Sequence, residues 1–154
     1  IAEAFEKYQP DLVINAAAYT AVDKAESEPE LAMQLNAIAP GDIARRCEAR
    51  QIPMMHISTD YVFDGKAGQY NENSSVNPIN VYGRTKLEAE IFLKENSKDS
   101  LIIRTNVLYD YVSESPASFL NLTIAKSGSI PVVSQSITRP MVPVGAITVA
   151  CALR

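Results

Sequence analysis

The chain has 154 residues, the size of one domain and enough to bury a core. Hydrophobic residues make up 47% and charged residues 21%, with a net charge of −4, which excludes a disordered segment and leaves no basic stripe for nucleic acid or a membrane surface. No apolar stretch approaches the length of a membrane span, and no signal-peptide pattern opens the chain.

"IAEAFEKYQ" (1–9) has a helical pattern. "DLVINAAA" (11–18) is a continuous apolar run after Pro10 with branched residues at its centre, which predicts a buried parallel strand. Residues 26–51 have helical spacing at Leu31, Leu35, Ile38 and Ile43, with Pro29 suited to a first turn. Pro40-Gly41 falls inside that pattern and predicts a kink or break. "PMMHIST" (53–59) is a second strand, and 64–78, rich in Gly, Asn and Ser, is a long loop of the kind that often carries function. A helix follows over 80–96, with Leu87, Ile91 and Glu90/Lys94 at helical spacing, then a third apolar strand over 100–109. The remaining elements are a helix over 115–128 ending on glycine, a short strand "IPVVS" and a final helix "PVGAITVACALR". The chain opens and closes inside helical patterns without cap signals, as expected of a piece of a longer protein.

Strands alternating with helices predict an α/β fold, a Rossmann-like doubly wound parallel sheet covered on both faces. Ligands of such sheets bind beyond the carboxyl ends of the strands. Three predicted strand ends carry small or polar residues: Ala17 to Thr20, Ser58-Thr59-Asp60 and Thr105 to Val107. Together they could line one crevice.

Tyr82 and Lys86 stand four apart on a predicted helix and so project from one face. An ammonium near a phenol favours the phenolate and would lower the Tyr82 pKa, which suits a general acid or base. Thr59 could hold the oxygen that receives the proton. The spacing alone is weak, and an exposed helix with a snorkelling lysine would explain it equally well.

The wider constellation is specific. "NAAAYTAVDKAESEP", "HISTDYVFDG", "NPINVYGRTKLEAE" and "IIRTNVLY" occur in that order over about 10–108. This resembles the extended short-chain dehydrogenase/reductase family, most closely its reductases of nucleotide-linked keto sugars. The resemblance implies NADPH or NADH as cofactor and reduction of the 4-keto group of a nucleotide-linked 6-deoxy sugar. It implies Tyr82 as proton donor, Lys86 as the residue that orients the nicotinamide ribose and tunes Tyr82, and Thr59 as the third catalytic member. Ala17, Ala18, Tyr19, Thr20 and Ser58 would join Tyr82 and Lys86 along the cofactor. Asp60 and Asn106 would join Thr59 at the substrate. Asn36 matches a structural asparagine. The chain would be one partial cofactor-binding domain over 1–154, with the start of a substrate-binding part over 129–154.

The sequence departs from the family pattern in places. Its six glycines include no G-x-x-G-x-x-G or G-x-G-x-x-G, so this stretch by itself is expected to bind cofactor poorly and to be inactive. Val107 stands where the reductases usually have tryptophan, Asp110 where many have glycine, and Val144, Gly145 and Ala146 leave a family acid unmatched. Two other readings stand beside the reductase. One is another sugar-nucleotide epimerase of the family. The other is a non-catalytic NADP-binding regulatory subunit like that of methionine adenosyltransferase.

Other residues read more plainly. His56 is a core or hydrogen-bonded histidine. Asp23, Glu26, Glu28 and Glu30 form a solvated acidic helix start rather than a metal cluster. Tyr109 and Tyr111 are packing or loop residues. Cys47 and Cys151, without metal-like spacing, are reduced thiols of a cytosolic (cytoplasmic) protein. The expected partner is a nucleotide-sugar substrate, with no nucleic acid and no membrane; oligomeric state is open, a homodimer among the options.

Overall fold

The computed structural model describes residues 1–106 and 146–149. The elements expected over 115–128 and 130–134, with Val107, Tyr109, Asp110, Tyr111 and Cys151, lie outside the described residues. The elements run α1 (Ala2–Tyr8), β1 (Leu12–Asn15), α2 (Val22–Ala25), α3 (Pro29–Met33), a π turn (Gln34–Ile38), α4 (Ala39–Arg50), β2 (Met54–Thr59), a 3-10 turn (Asp60–Val62), α5 (Val81–Asn96), β3 (Ser100–Thr105) and β4 (Ala146–Val149). The chain groups into two units, Ile1–Arg104 with Val144–Arg154, and Thr105–Pro143. The sheet core and the residues gathered around α5 belong to the first.

The sheet has four strands in the order β3-β2-β1-β4. β1 runs parallel to β2, with Val13 opposite Met54 and Asn15 opposite His56. The connections through α4 and α5 are the crossovers that parallel strands require. The two helices meet the sheet on one face. Phe5, Val13, Ile43, Ala44, Cys47, Met54 and Leu93 form a single buried cluster there. Burial pushes the Cys47 thiol up to about 11, so it behaves as a small apolar side chain. Gly41 lets the helices approach closely: a Cβ there would meet the Phe92 ring at 3.2 Å.

Two expectations need correction. The stretch read as a final helix contains β4, whose Ala146 to Val149 pair in parallel with Leu12 to Asn15. A short apolar run fits a buried strand or a buried helix equally well by pattern, and the branched Ile147, Thr148 and Val149 suit a strand. The break expected at Pro40-Gly41 falls earlier. Pro40 sits in the first turn of α4, and the preceding five residues widen into the π turn. Proline has no N–H to give to the turn before it, so the ladder shifts register upstream.

The π turn buries Asn36 together with Ala37. Asn36 has no exposed surface. Its Oδ1 accepts from Tyr19 N–H at 2.7 Å, and its Nδ2 donates to Tyr19 O and to Thr85 Oγ1, each at 3.1 Å. Thr85 in turn donates to Tyr82 O at 2.9 Å. One amide therefore joins the loop after β1 to the first turns of α5. Asn36→Ala leaves the Tyr19 N–H and carbonyl without the amide in a dry interior, and should destabilise the protein by about 2–4 kcal/mol. A urea midpoint that does not move would show that water replaces the amide.

Candidate active site

α5 carries the site. Asn80 caps it, its Oδ1 accepting from Gly83 N–H at 2.7 Å. Glu26 adds a second acceptor from far along the chain, Oε1 receiving Val81 N–H at 2.7 Å. The buried stripe of α5 comprises Gly83, Thr85, Lys86, Ala89, Glu90 and Leu93. Leu93 meets the apolar cluster at the amino ends of β1 and β2. Lys86 and Glu90 meet their carboxyl halves, where Asn15, His56 and Ser58 replace Val13 and Met54 on the same face.

Lys86 is 2% exposed and Glu90 is 1% exposed, so each must be satisfied internally. Arg104 holds Glu90 by two bonds, Nε to Oε1 at 2.9 Å and Nη2 to Oε2 at 2.6 Å. Ser58 Oγ donates to Glu90 Oε1 at 2.6 Å. Burial alone would raise the Glu90 pKa, but the bonds from Arg104 and Ser58 outweigh it and leave the carboxyl below its ordinary range. Lys86 Nζ donates to Ile57 O at 2.7 Å and lies 3.3 Å from His56 Nε2. Burial brings the Lys86 amine down to about 8, against an upward pull from Glu90.

Tyr82 stands one turn before Lys86. Its ring meets that of Tyr61 edge-on, with centroids 5.6 Å apart. The two segments touch because residue 83 is glycine: a Cβ there would lie 2.2 Å from Tyr61 O. Thr59, at the end of β2, accepts from Tyr61 N–H and donates to Asp60 Oδ1, both at 3.2 Å. Burial raises the Tyr82 pKa first of all; a hydrogen bond with Thr59 works against this, while Asp60 and Tyr61 add to it. The expected lowering by Lys86 is therefore not seen. The Lys86 amine is engaged with Ile57 O and His56, and burial governs the phenol. Tyr82 stays protonated, the state in which a proton donor begins.

Thr59, Asp60, Tyr82 and Lys86 thus gather where β2 meets the start of α5. Ala17 and Ala18 are half-buried beyond β1, and Thr20 is exposed. Tyr19 is turned inwards: its hydroxyl donates to Glu28 Oε2 at 2.7 Å, and its ring packs with Ala25 and Ala32. Asn106 is exposed and falls in the other unit. The acids after β1 are not simply a solvated face. Glu28 receives Tyr19 and pairs with Lys24 at 3.0 Å, and Glu26 caps α5. Among the described residues no group of three His, Cys, Asp or Glu could hold a metal. No helix among them is long and apolar enough to cross a membrane.

Sequence reading missed Asn15, Glu90 and Arg104. Glu90 had a signal, since it stands four residues after Lys86 on the stripe that also holds Ala89 and Leu93. The long loop is tied to the same network. Arg104 lies over the Phe63 ring at 5.1 Å, Phe63 stacks on Tyr70 at 4.4 Å, and the Tyr70 hydroxyl donates to Asp64 at 2.6 Å.

The donor set of phenol, hydroxyl and amine suits a carbonyl oxygen and a ribose hydroxyl, so it fits the nicotinamide end of a dinucleotide. No described stretch offers a glycine-rich turn for the pyrophosphate.

Comparison with known proteins agrees with this geometry. Residues 1–152 match the family described as RmlD substrate binding domain. The chain is 47% identical to the dTDP-4-dehydrorhamnose reductase of Salmonella typhimurium over 110 residues, 71% of this chain and 37% of that protein. It is 39% identical to the enzyme of the same description from Mycolicibacterium smegmatis over 138 residues, 84% of this chain and 41% of that one. The crystal structure of dTDP-4-dehydrorhamnose reductase from Bacillus anthracis in complex with NADP superposes with a TM-score of 0.73 at 36% identity, covering 80% of this chain and 43% of that one. The chain thus spans about 37–41% of the length of these curated relatives.

The Glu90–Arg104 pair yields a pH test. Glu90 has a lowered pKa in the folded protein, so its stabilisation is present above the unfolded carboxyl value and is lost as pH falls through the folded one. Arg104→Met leaves burial dominant and should raise the Glu90 pKa. The variant should then lose stability as pH rises through the raised value, and be weaker by about 3–5 kcal/mol at neutral pH. Urea midpoints of both proteins, followed from about pH 4 to 8, check the reversed slope.

Proposed function

This chain belongs to the RmlD substrate binding domain family, and from that membership we propose that the whole protein reduces the 4-keto group of a nucleotide-linked 6-deoxy sugar such as dTDP-4-dehydrorhamnose. The observation that carries the reading is the half-buried, protonated Tyr82, hydrogen-bonded to Thr59 and one turn from Lys86 at the carboxyl end of β2. The match to reductases at 39% and 47% identity supports it, as does a neighbour crystallised with NADP, which favours NADPH over NADH.

When bound, the nicotinamide cofactor supplies the hydride. The chain's own residues do the rest. Thr59 Oγ1 and the Tyr82 hydroxyl converge on the substrate carbonyl oxygen and orient it. Tyr82 gives up its proton as negative charge develops there. Lys86 would hold the ribose hydroxyls, and the backbone of Ala17 and Ala18 would flank the cofactor. Ser58 supports this arrangement through Glu90, and Asp60 contacts the sugar. The expected location is the cytoplasm. A homodimer is compatible with this reading.

The regulatory-subunit reading predicts NADP binding without turnover. Oxidation of NADPH by the whole protein, supplied with dTDP-4-dehydrorhamnose, separates the two. Tyr82→Phe should lower turnover by roughly 10²–10⁴-fold and leave NADPH affinity nearly unchanged. A variant with the wild-type rate would remove Tyr82 from its role.

A further inference from the structure

His56 is buried with no exposed surface, directly behind Lys86, and the reaction as read above does not use it. Its two ring nitrogens face different partners. Nδ1 lies 3.0 Å from Asn15 Nδ2, and Nε2 lies 3.3 Å from Lys86 Nζ. Asn15 is 1% exposed, and its orientation follows from a third contact. Ala17 N–H lies 3.1 Å from Asn15 Oδ1. A backbone N–H can only donate, so the oxygen must face it and the NH₂ group must face the imidazole.

An amide NH₂ also only donates. His56 Nδ1 must therefore accept, and a neutral ring with an accepting Nδ1 carries its proton on Nε2. That N–H is aimed at Lys86 Nζ. An ammonium offers three donors and no lone pair, so it meets Nε2–H with nothing to accept it. The uncharged amine can accept from Nε2–H while still donating to Ile57 O at 2.7 Å.

We propose that Asn15 and His56 are positioning residues that set the protonation of Lys86: Asn15 fixes the imidazole as its Nε2–H tautomer, and that N–H favours the uncharged amine over the ammonium. The imidazole itself stays neutral, since burial above all brings it down to about 3. The other charged groups near Lys86 are accounted for. Glu90, on α5, favours the ammonium and is itself paired with Arg104. Tyr82, on the same helix, is kept protonated. Asp60 and Tyr61, on the turn after β2, act on Tyr82. β1 presents only the neutral Asn15. The chain of contacts begins at Ala17 N–H, so the charge on Lys86 is linked to the backbone after β1. In the reductase reading that is the stretch along the cofactor.

The test is nuclear magnetic resonance on the whole protein, carrying ¹⁵N-labelled histidine and ¹³Cε-labelled lysine, with Lys86 assigned against Lys86→Met. The imidazole should show the proton on Nε2 at alkaline pH, and the Lys86 midpoint should lie near 8. His56→Leu removes the opposing N–H and keeps the site dry, so the Lys86 midpoint should rise, with proton affinity up by about threefold or more. A proton on Nδ1 in the wild type would overturn the proposal. So would a Lys86 midpoint that falls or stays in His56→Leu, because an accepting imidazole would have been stabilising the ammonium. If His56→Leu does not fold, the wild-type tautomer decides alone. Neither measurement needs turnover. A protein that shows the tautomer and the shift but does not reduce the sugar upholds this proposal and defeats the reductase reading.

Discussion

Two ionisable side chains one turn apart on α5, Lys86 and Glu90, are buried against the carboxyl halves of β1 and β2, and each must find partners without water. That requirement shapes the elements around them. Glu90 draws Arg104 from β3 and Ser58 from β2. Lys86 takes the Ile57 carbonyl and the His56 ring. The face of the sheet therefore changes character along its length, from Val13 and Met54 at one end to Asn15, His56 and Ser58 at the other. The apolar end holds the helices down, and the polar end gives the site its chemistry.

The same helix joins this buried network to the surface at which a ligand would arrive. Gly83 allows the Tyr61 carbonyl to lie against α5, which brings Thr59 within reach of Tyr82. Thr85 and Asn36 carry the connection to Tyr19 and the end of β1. Arg104, stacked over Phe63, carries it to Tyr70 and Asp64 in the long loop. Such polar networks hold one geometry because a partly satisfied one costs more than an apolar core would. Tyr82, Thr59 and Lys86 are thereby fixed before any ligand is present.

Much of this was legible in the chain itself. The runs at 11–18, 53–59 and 100–109 each contain a strand, and 80–96 is a helix almost to the residue. The four motifs that resemble the reductase family sit on those elements, and their order alone identifies the family. The failures share a cause. The stretch 143–154 fits a helix as well as a strand because short apolar runs have no distinctive period. The widening at Gln34–Ile38 needed the backbone to be seen. Glu26 and Glu28 have the pattern of solvated acids because nothing local shows that Val81 N–H and the Tyr19 hydroxyl come to them.

Pattern and spacing act over a few residues, so the sequence by itself determined the three strands β1 to β3, helix α5 with the face that carries Tyr82 and Lys86, and the family. Protonation depends on what surrounds a group in three dimensions. Only the tertiary structure decided that Tyr82 stays a phenol, because burial outweighs the hydrogen bond with Thr59 while the Lys86 amine is bonded to Ile57 O and set against His56. Only the tertiary structure placed His56 between Asn15 and Lys86, since those three residues are 41 and 30 positions apart and meet through strand register and helix packing. Register brings Asn15 opposite His56, and the packing of α5 sets the amine behind both.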